Sequence, residues 1–282
     1  MRPFRPVDFR FMLRWIGAIL KPGLLRCALN RGPTELKSTT SQSGNKATAI
    51  VSVSQERSVI PAVLNEPWAT AWWLPRHEQK VAQARGKTAE LVLIGDSIIH
   101  GWENEGGAVW RQYFADIDTL NLGFSGDRTE NVLWRLQQGE LERQEPALAI
   151  LLIGTNNTGH RMDTPEAIRD GVKAILAELR IRIPASPVLL LGIFPRGADS
   201  DDSLRINNNK ANDLLADLAS EAEILFARFD DAFLKTDGTL NRGITPDMLH
   251  LNQFGYQIWA RQLQPYIQRY VRESGGYLQP MF

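Results

Sequence analysis

At 282 residues, with 43% hydrophobic and 23% charged content, the chain has the composition of a globular protein with a sizeable core, in one large domain or two small ones. Its 32 Lys and Arg balance 32 Asp and Glu, so no global field points to nucleic acid or an anionic membrane surface. A single cysteine, Cys27, excludes an intrachain disulfide framework, and no apolar run approaches the roughly eighteen residues of a membrane span.

The balanced charge hides an asymmetry. Residues 1–37 carry eight basic residues against Asp8 and Glu35. Within them FMLRWIGAIL (11–20) resembles the apolar region of a signal peptide. Arg14 interrupts it, however, and no small-x-small cleavage site follows closely. Cys27 follows Arg26, a poor context for a lipoprotein cysteine. The single cysteine suits a reducing compartment, which favours a cytoplasmic location over export. Residues 38–58 are polar, rich in Ser and Thr, and lack helical period. Residues 1–60 are thus expected to be a poorly ordered basic extension and linker, and the compact domain to start between Ile60 and Trp68.

Beyond that point short apolar runs alternate with amphipathic segments. ELVLIG (90–95), DTLNLG (118–123), ALAILLIG (147–154), PVLLLGIF (187–194) and AEILFARF (222–229) suit buried strands of a parallel sheet. In 165–183, Ile168, Val172, Ile175, Leu176, Leu179 and Ile183 fall on one helical face, with Thr164 and Pro165 as cap and first residue. Leu204, Ala211, Leu214, Leu215 and Leu218 form a second stripe. Asn252 opens a third helix with Tyr256, Ile258, Trp259, Leu263 and Ile267. The alternation predicts a doubly wound, three-layer α/β/α fold with a mostly parallel five-stranded sheet.

In such sheets ligands bind beyond the carboxyl ends of the strands. The residues expected there are Gly95-Asp96-Ser97, Asn121 to Asp127, Gly154 to Asn157, and Phe194 to Gly197. Ser97 is a candidate nucleophile, although a GDS tripeptide taken alone reads first as a helix cap. A serine hydrolase also needs a base, a group that orients the base, and oxyanion donors. The four histidines are His77, His100, His160 and His250. Asp247 precedes His250 by three residues, within reach of its Nδ1 if the loop curls into a turn; His160 remains a competitor. Candidate oxyanion donors are the Ser97 N–H, the Gly126 N–H and the Asn156 side-chain amide. Each of these residues also has a bland reading as a turn or a cap.

Four spaced blocks bear on the choice. GDS (95–97), NLGFSGD (121–127), GTNN (154–157) and DMLH (247–250) match, in order, the motif blocks of the SGNH (GDSL-type) hydrolases. NLGFSGDRTENVLWRLQQGEL (121–141), with PRG (195–197) and LHLNQFGY, resembles the catalytic subunits of platelet-activating-factor acetylhydrolase. The likeness covers about residues 68–270, inside a hydrolase domain taken as 61–275. It implies Ser97 as nucleophile, His250 as general base and Asp247 as its orienter. Ser97 N–H, Gly126 N–H and Asn156 become the oxyanion hole, and Asp96 a loop-holding residue. The implied activity is hydrolysis of short-chain, acetyl-type esters through an acyl-serine.

Other readings fare less well. The G-x-S-x-G elbow of α/β-hydrolases is absent, as are the nucleotide-binding glycine patterns. No H-E-x-x-H or paired-cysteine spacing occurs, so neither metal nor cofactor is expected. A silent ligand-binding module on the same fold stays open. The expected partner is a small acyl ester, on a lipid or as an O-acetyl group on a carbohydrate, and the resemblance allows a homodimer. Ile98 and Phe194 line a candidate acyl pocket or simply fill the core. Trp68, Trp72 and Trp73 pack a leading helix or, on a sharper reading, offer a face to a sugar.

Overall fold

The five apolar runs pair into one sheet. The computed structural model describes residues 57–273; the basic extension and most of the expected linker lie outside them. In chain order the elements are α1 (Trp73–Gly86), β1 (Leu91–Gly95), α2 (Ser97–His100), α3 (Gly107–Phe114), β2 (Thr119–Gly123), α4 (Thr129–Arg135), β3 (Leu148–Leu152) and α5 (Thr155–Arg161). They continue with α6 (Pro165–Arg182), β4 (Val188–Leu191), α7 (Ser203–Glu221), β5 (Leu225–Ala227), α8 (Asp230–Phe233) and α9 (Gln253–Ile267). Every strand pair is parallel, in the order β2-β1-β3-β4-β5. The fold is the expected doubly wound α/β/α sandwich. Strand order reverses on either side of β1, which puts the topological switch point between β1 and β3.

Side chains of a strand alternate between faces, and that alternation builds two core layers. Leu91, Leu93, Leu148, Ile150, Leu152, Leu189 and Leu191 join Trp102, Phe114, Trp259 and Leu263 in one cluster beneath α3 and α9. The intervening Val92, Ile94, Ala149, Leu151 and Leu190 are equally buried on the other face. There the stripes of α6 (Ile168, Val172, Ile175, Leu179) and α7 (Ala211, Leu215, Leu218) are also buried. Burying each of the Val, Leu, Ile and Phe side chains is worth about 1.5–3 kcal/mol.

The helices begin where the caps predict. Thr164 accepts the Ala167 N–H and Asn252 accepts those of Phe254 and Gly255. The strands are shorter than the apolar runs. β3 ends at Leu152, β4 at Leu191, and β5 spans only Leu225–Ala227. The reason is that the chain leaves the ladder before its apolar character ends. Gly154 turns into α5 with φ 128°, and the Ile193 N–H and C=O are both taken by the Asn212 side chain.

Ahead of α1 the chain forms a strap across α4. Thr129 Oγ1 donates to the Ser58 carbonyl at 3.0 Å, the Ala62 N–H to the Glu130 carbonyl at 3.2 Å, and Asn131 Nδ2 to the Ala62 carbonyl at 2.9 Å. No helix among the described residues is long and apolar enough to cross a membrane.

Candidate active site

β1 delivers Ser97 to the switch point. A Cβ on Gly95 would lie 2.1 Å from the Leu152 carbonyl oxygen and 2.7 Å from Ile99, so only glycine lets α2 fold down onto the sheet. The cap of that short helix is Asp96: its Oδ1 accepts the Ile98 N–H at 2.9 Å. Ser97 Oγ is therefore free to make a different contact. Asp96 is fully buried, and burial pushes its carboxyl from 3.8 to about 7 despite that hydrogen bond.

The contact that Ser97 makes is with His250. Ser97 Oγ lies 2.9 Å from His250 Nε2, and His250 Nδ1 lies 2.6 Å from Asp247 Oδ2. Asp247, as acceptor, assigns the proton to Nδ1, which leaves Nε2 to accept from the serine hydroxyl. The loop builds this arrangement from its own residues. Asp247 Oδ1 accepts the N–H groups of Leu249 at 3.1 Å and His250 at 2.7 Å, curling the segment into the turn that the three-residue spacing requires. Partial burial works to raise the Asp247 pKa, but hydrogen bonds from the His250 side chain and backbone outweigh it, and the pKa falls below its usual value. α9, which follows this loop, is tied to the nucleophile's helix, with Tyr256 OH donating to the Ile98 carbonyl at 2.7 Å.

The remaining histidines are engaged elsewhere. His77 Nδ1 meets Glu140 at 3.0 Å, His100 Nδ1 meets Ser125 Oγ at 3.0 Å, and His160 Nδ1 sits 3.1 Å from Arg128 Nη1. Burial, followed by the Arg76 charge, lowers His100 to about 4; burial and then Arg128 lower His160. Of the two competitors left by the sequence, His250 is the one that reaches Ser97.

Gly126 and Asn156 come from β2 and β3. Gly126 has φ 84°, a conformation suited to glycine. Asn156 Nδ2 donates to the Asp127 carbonyl at 2.9 Å, which ties the two loops together. Among the turn and loop hydrogen bonds of the described residues, none is donated by the N–H of Ser97 or Gly126.

Behind this loop lies a buried charged network. Arg135 Nε donates to Asp127 Oδ2 at 2.8 Å, Arg135 Nη1 pairs with Glu140, and Arg135 Nη2 donates to the Leu122 carbonyl at 3.2 Å. The guanidinium stacks 3.9 Å from the centre of the Phe124 ring. Trp73 Nε1 donates to the other Asp127 oxygen at 2.6 Å. Ile98 and Phe194 sit in the core at 2% and 3% exposure, Phe194 against Phe233 and Trp259; core packing accounts for both. No group of three or more His, Cys, Asp or Glu that could hold a metal ion occurs among the described residues.

Residues 93–258 match the model of the GDSL-like lipase/acylhydrolase family. The chain belongs to this family. The acylhydrolase is 36% identical over 213 residues to human platelet-activating factor acetylhydrolase IB subunit alpha1, covering 74% of this chain and 88% of the human protein. It is 32% identical to the rat alpha2 subunit over 203 residues, 72% of this chain and 86% of the relative. A putative acylhydrolase from Bacteroides fragilis superposes with a TM-score of 0.58 at 21% identity, over 74% of this chain and all of that one. An acetylxylan esterase from Geobacillus stearothermophilus gives 0.52 at 17%, over 67% and 95%. The acylhydrolase is a carboxylic ester hydrolase.

Sequence reading missed the residues behind the site. Arg135 and Glu140 are charged residues that read as solvated, and Asp127 stands in an expected strand-end segment with no role of its own. Arg205 and Asn212 sit on the buried face of α7, Arg205 holding the Arg196, Gly197 and Gly238 carbonyls. Their helical spacing with Asn208 and Leu215 is the signal that could have exposed them.

Proposed function

We propose that the acylhydrolase is a serine esterase that cleaves short-chain, acetyl-type esters through an acyl-serine intermediate. The observation that carries this reading is the continuous path Ser97 Oγ–His250 Nε2 and Nδ1–Asp247, at 2.9 and 2.6 Å. His250 takes the Ser97 proton as Oγ attacks the ester carbonyl, and Asp247 stabilises the imidazolium. The oxyanion is received by the N–H groups of Ser97 and Gly126 and by Asn156 Nδ2. His250 then protonates the leaving alkoxide. Water, deprotonated by His250, attacks the acyl-serine and releases the acid. Asp96 holds the nucleophile's turn through Ile98.

Acetyl as the acyl group is supported by relatives at 36% and 32% identity that are platelet-activating factor acetylhydrolase subunits. Fluorophosphonate labelling followed by peptide mapping tests the nucleophile: modification at Ser97 supports the reading, and an unlabelled Ser97 in folded protein removes it, leaving a silent binding module. Acetyl, butyryl and octanoyl p-nitrophenyl esters test the chain length. A rate that rises toward octanoyl rules out the short acyl group. The homodimer allowed by the resemblance is checked separately by sedimentation.

A further inference from the structure

The sequence treats Trp68, Trp72 and Trp73 as one cluster; the structure gives them three different settings. Trp73 is buried and bonded to Asp127. Trp72 is half-buried, its ring 6.0 Å from that of His100, and its Nε1 donates to the Trp68 carbonyl at 3.2 Å. Trp68 remains 52% exposed. Its ring lies 6.4 Å from Trp72 at an interplanar angle of 27°. Its edge abuts Gly126: a Cβ built on that glycine would be 2.1 Å from Trp68 Cη2.

The segment that carries this exposed indole is tied down. Besides the strap's bonds to α4, Arg128 Nη1 donates to Glu66 at 3.1 Å, and a turn closes around Trp68 through Ala69 N–H to the Glu66 carbonyl at 2.8 Å. The strap also lies outside the residues 93–258 that match the family. A large apolar face is thus fixed beside a candidate oxyanion donor without being used to fill the core. The neighbouring positions are polar: Glu66, two residues before Trp68, pairs with Arg128, which also meets His160, and Ser125 with its hydroxyl directly precedes Gly126.

We infer that Trp68 is the platform of a substrate subsite that takes the ring of an O-acetylated sugar. The inference rests on the esterase reading above. A flat indole that is half exposed and stacked on Trp72 matches the C–H face of a pyranose ring, and the polar residues next to it and to Gly126 in the chain suit its hydroxyls. A flexible alkyl chain would instead be served by an enclosed apolar groove.

The test uses methyl 2,3,4-tri-O-acetyl-β-D-xylopyranoside, ethyl acetate and dodecyl acetate, followed by pH-stat. Trp68→Ala is expected to lower the ratio of kcat/KM for the sugar acetate over ethyl acetate by about tenfold, the size of a stacking contact, with Trp68→Phe recovering most of it. In the non-hydrolysing Ser97→Ala protein, calorimetry is expected to detect the sugar acetate, and adding Trp68→Ala to weaken it by a similar factor. An unchanged ratio, or equal losses on all three esters, overturns the subsite. So does a wild-type preference for dodecyl acetate, or hydrolysis of ethyl acetate without the sugar acetate. If no ester is cleaved and Ser97 resists fluorophosphonate, the esterase reading fails first and the subsite falls with it.

Discussion

The two sides of the candidate site are built in opposite ways. The Asp247–His250 side is local and exposed: a four-residue turn in which one carboxylate caps the backbone and orients the imidazole. The proposed oxyanion side is drawn from remote segments, with the buried Asn156 bonded to the Asp127 carbonyl next to the half-buried Gly126, and Asp127 clamped by Arg135 and Trp73. The first costs little to assemble because its partners are neighbours in the chain. The second immobilises the proposed oxyanion donors, and it places buried charges where each must be paired. Substitutions on the first side should therefore remove activity and spare stability, whereas those on the second should affect both.

The largest expected effect is kinetic. His250→Ala should lower kcat on p-nitrophenyl acetate by about 10⁴–10⁶, and Asp247→Asn by about 10⁴ through the wrong tautomer. Both should unfold in urea close to wild type. A large drop in midpoint for either would break the contrast. Arg135→Met strands Asp127 and Glu140 in the interior and should cost about 3–5 kcal/mol in urea unfolding. A near-wild-type midpoint would mean that the network is not what holds the loop.

The two acids of the site should also respond oppositely to pH. Asp96 is raised from 3.8 to about 7, so between those values the folded state keeps a proton that the unfolded chain has released. Stability must then fall as pH rises through that window, on the order of 4 kcal/mol in all. Asp96→Asn, whose Oδ1 can still accept from Ile98, should flatten this slope and be the more stable protein at pH 8. Asp247 is lowered but exposed, so its small, solvent-screened stabilisation is present above the ordinary carboxylate range and is lost as pH falls through its folded pKa. Urea midpoints across pH 4–8 check the Asp96 slope; no difference between wild type and Asp96→Asn would remove the assignment. The smallest of these effects is Asn156→Ala, at about 10²–10³ in kcat or ~3 kcal/mol, measured with KM to separate loss of turnover from loss of binding.

Much of the fold was legible because apolar runs and caps are local signals. The α6 stripe from Ile168 to Leu179, the Asn252 cap and the five strand cores all report environments that a short window of sequence encodes. Strand ends were less legible. Whether Ile153 or Ile193 continues a ladder depends on partners such as Asn212, nineteen residues away from Ile193. Residues lacking a motif, such as Arg135 and Arg205, were invisible because a charged side chain reads as solvated until its buried partners are known.

The sequence by itself determined the kinds of groups available: one serine after a buried strand, an acid three residues before a histidine, a glycine and an asparagine after two other strands. Tertiary structure decided which of them meet. It set His250 rather than His160 against Ser97, gave the helix cap to Asp96 so that the hydroxyl stayed free, and put Ile98 and Phe194 in the core. It also separated three similar tryptophans into a buried anchor, a half-buried prop and an exposed face beside Gly126. The physical reason is range. Turns, caps and periodicity act over a few residues, whereas burial and charge pairing depend on where the switch point of the sheet brings distant segments together.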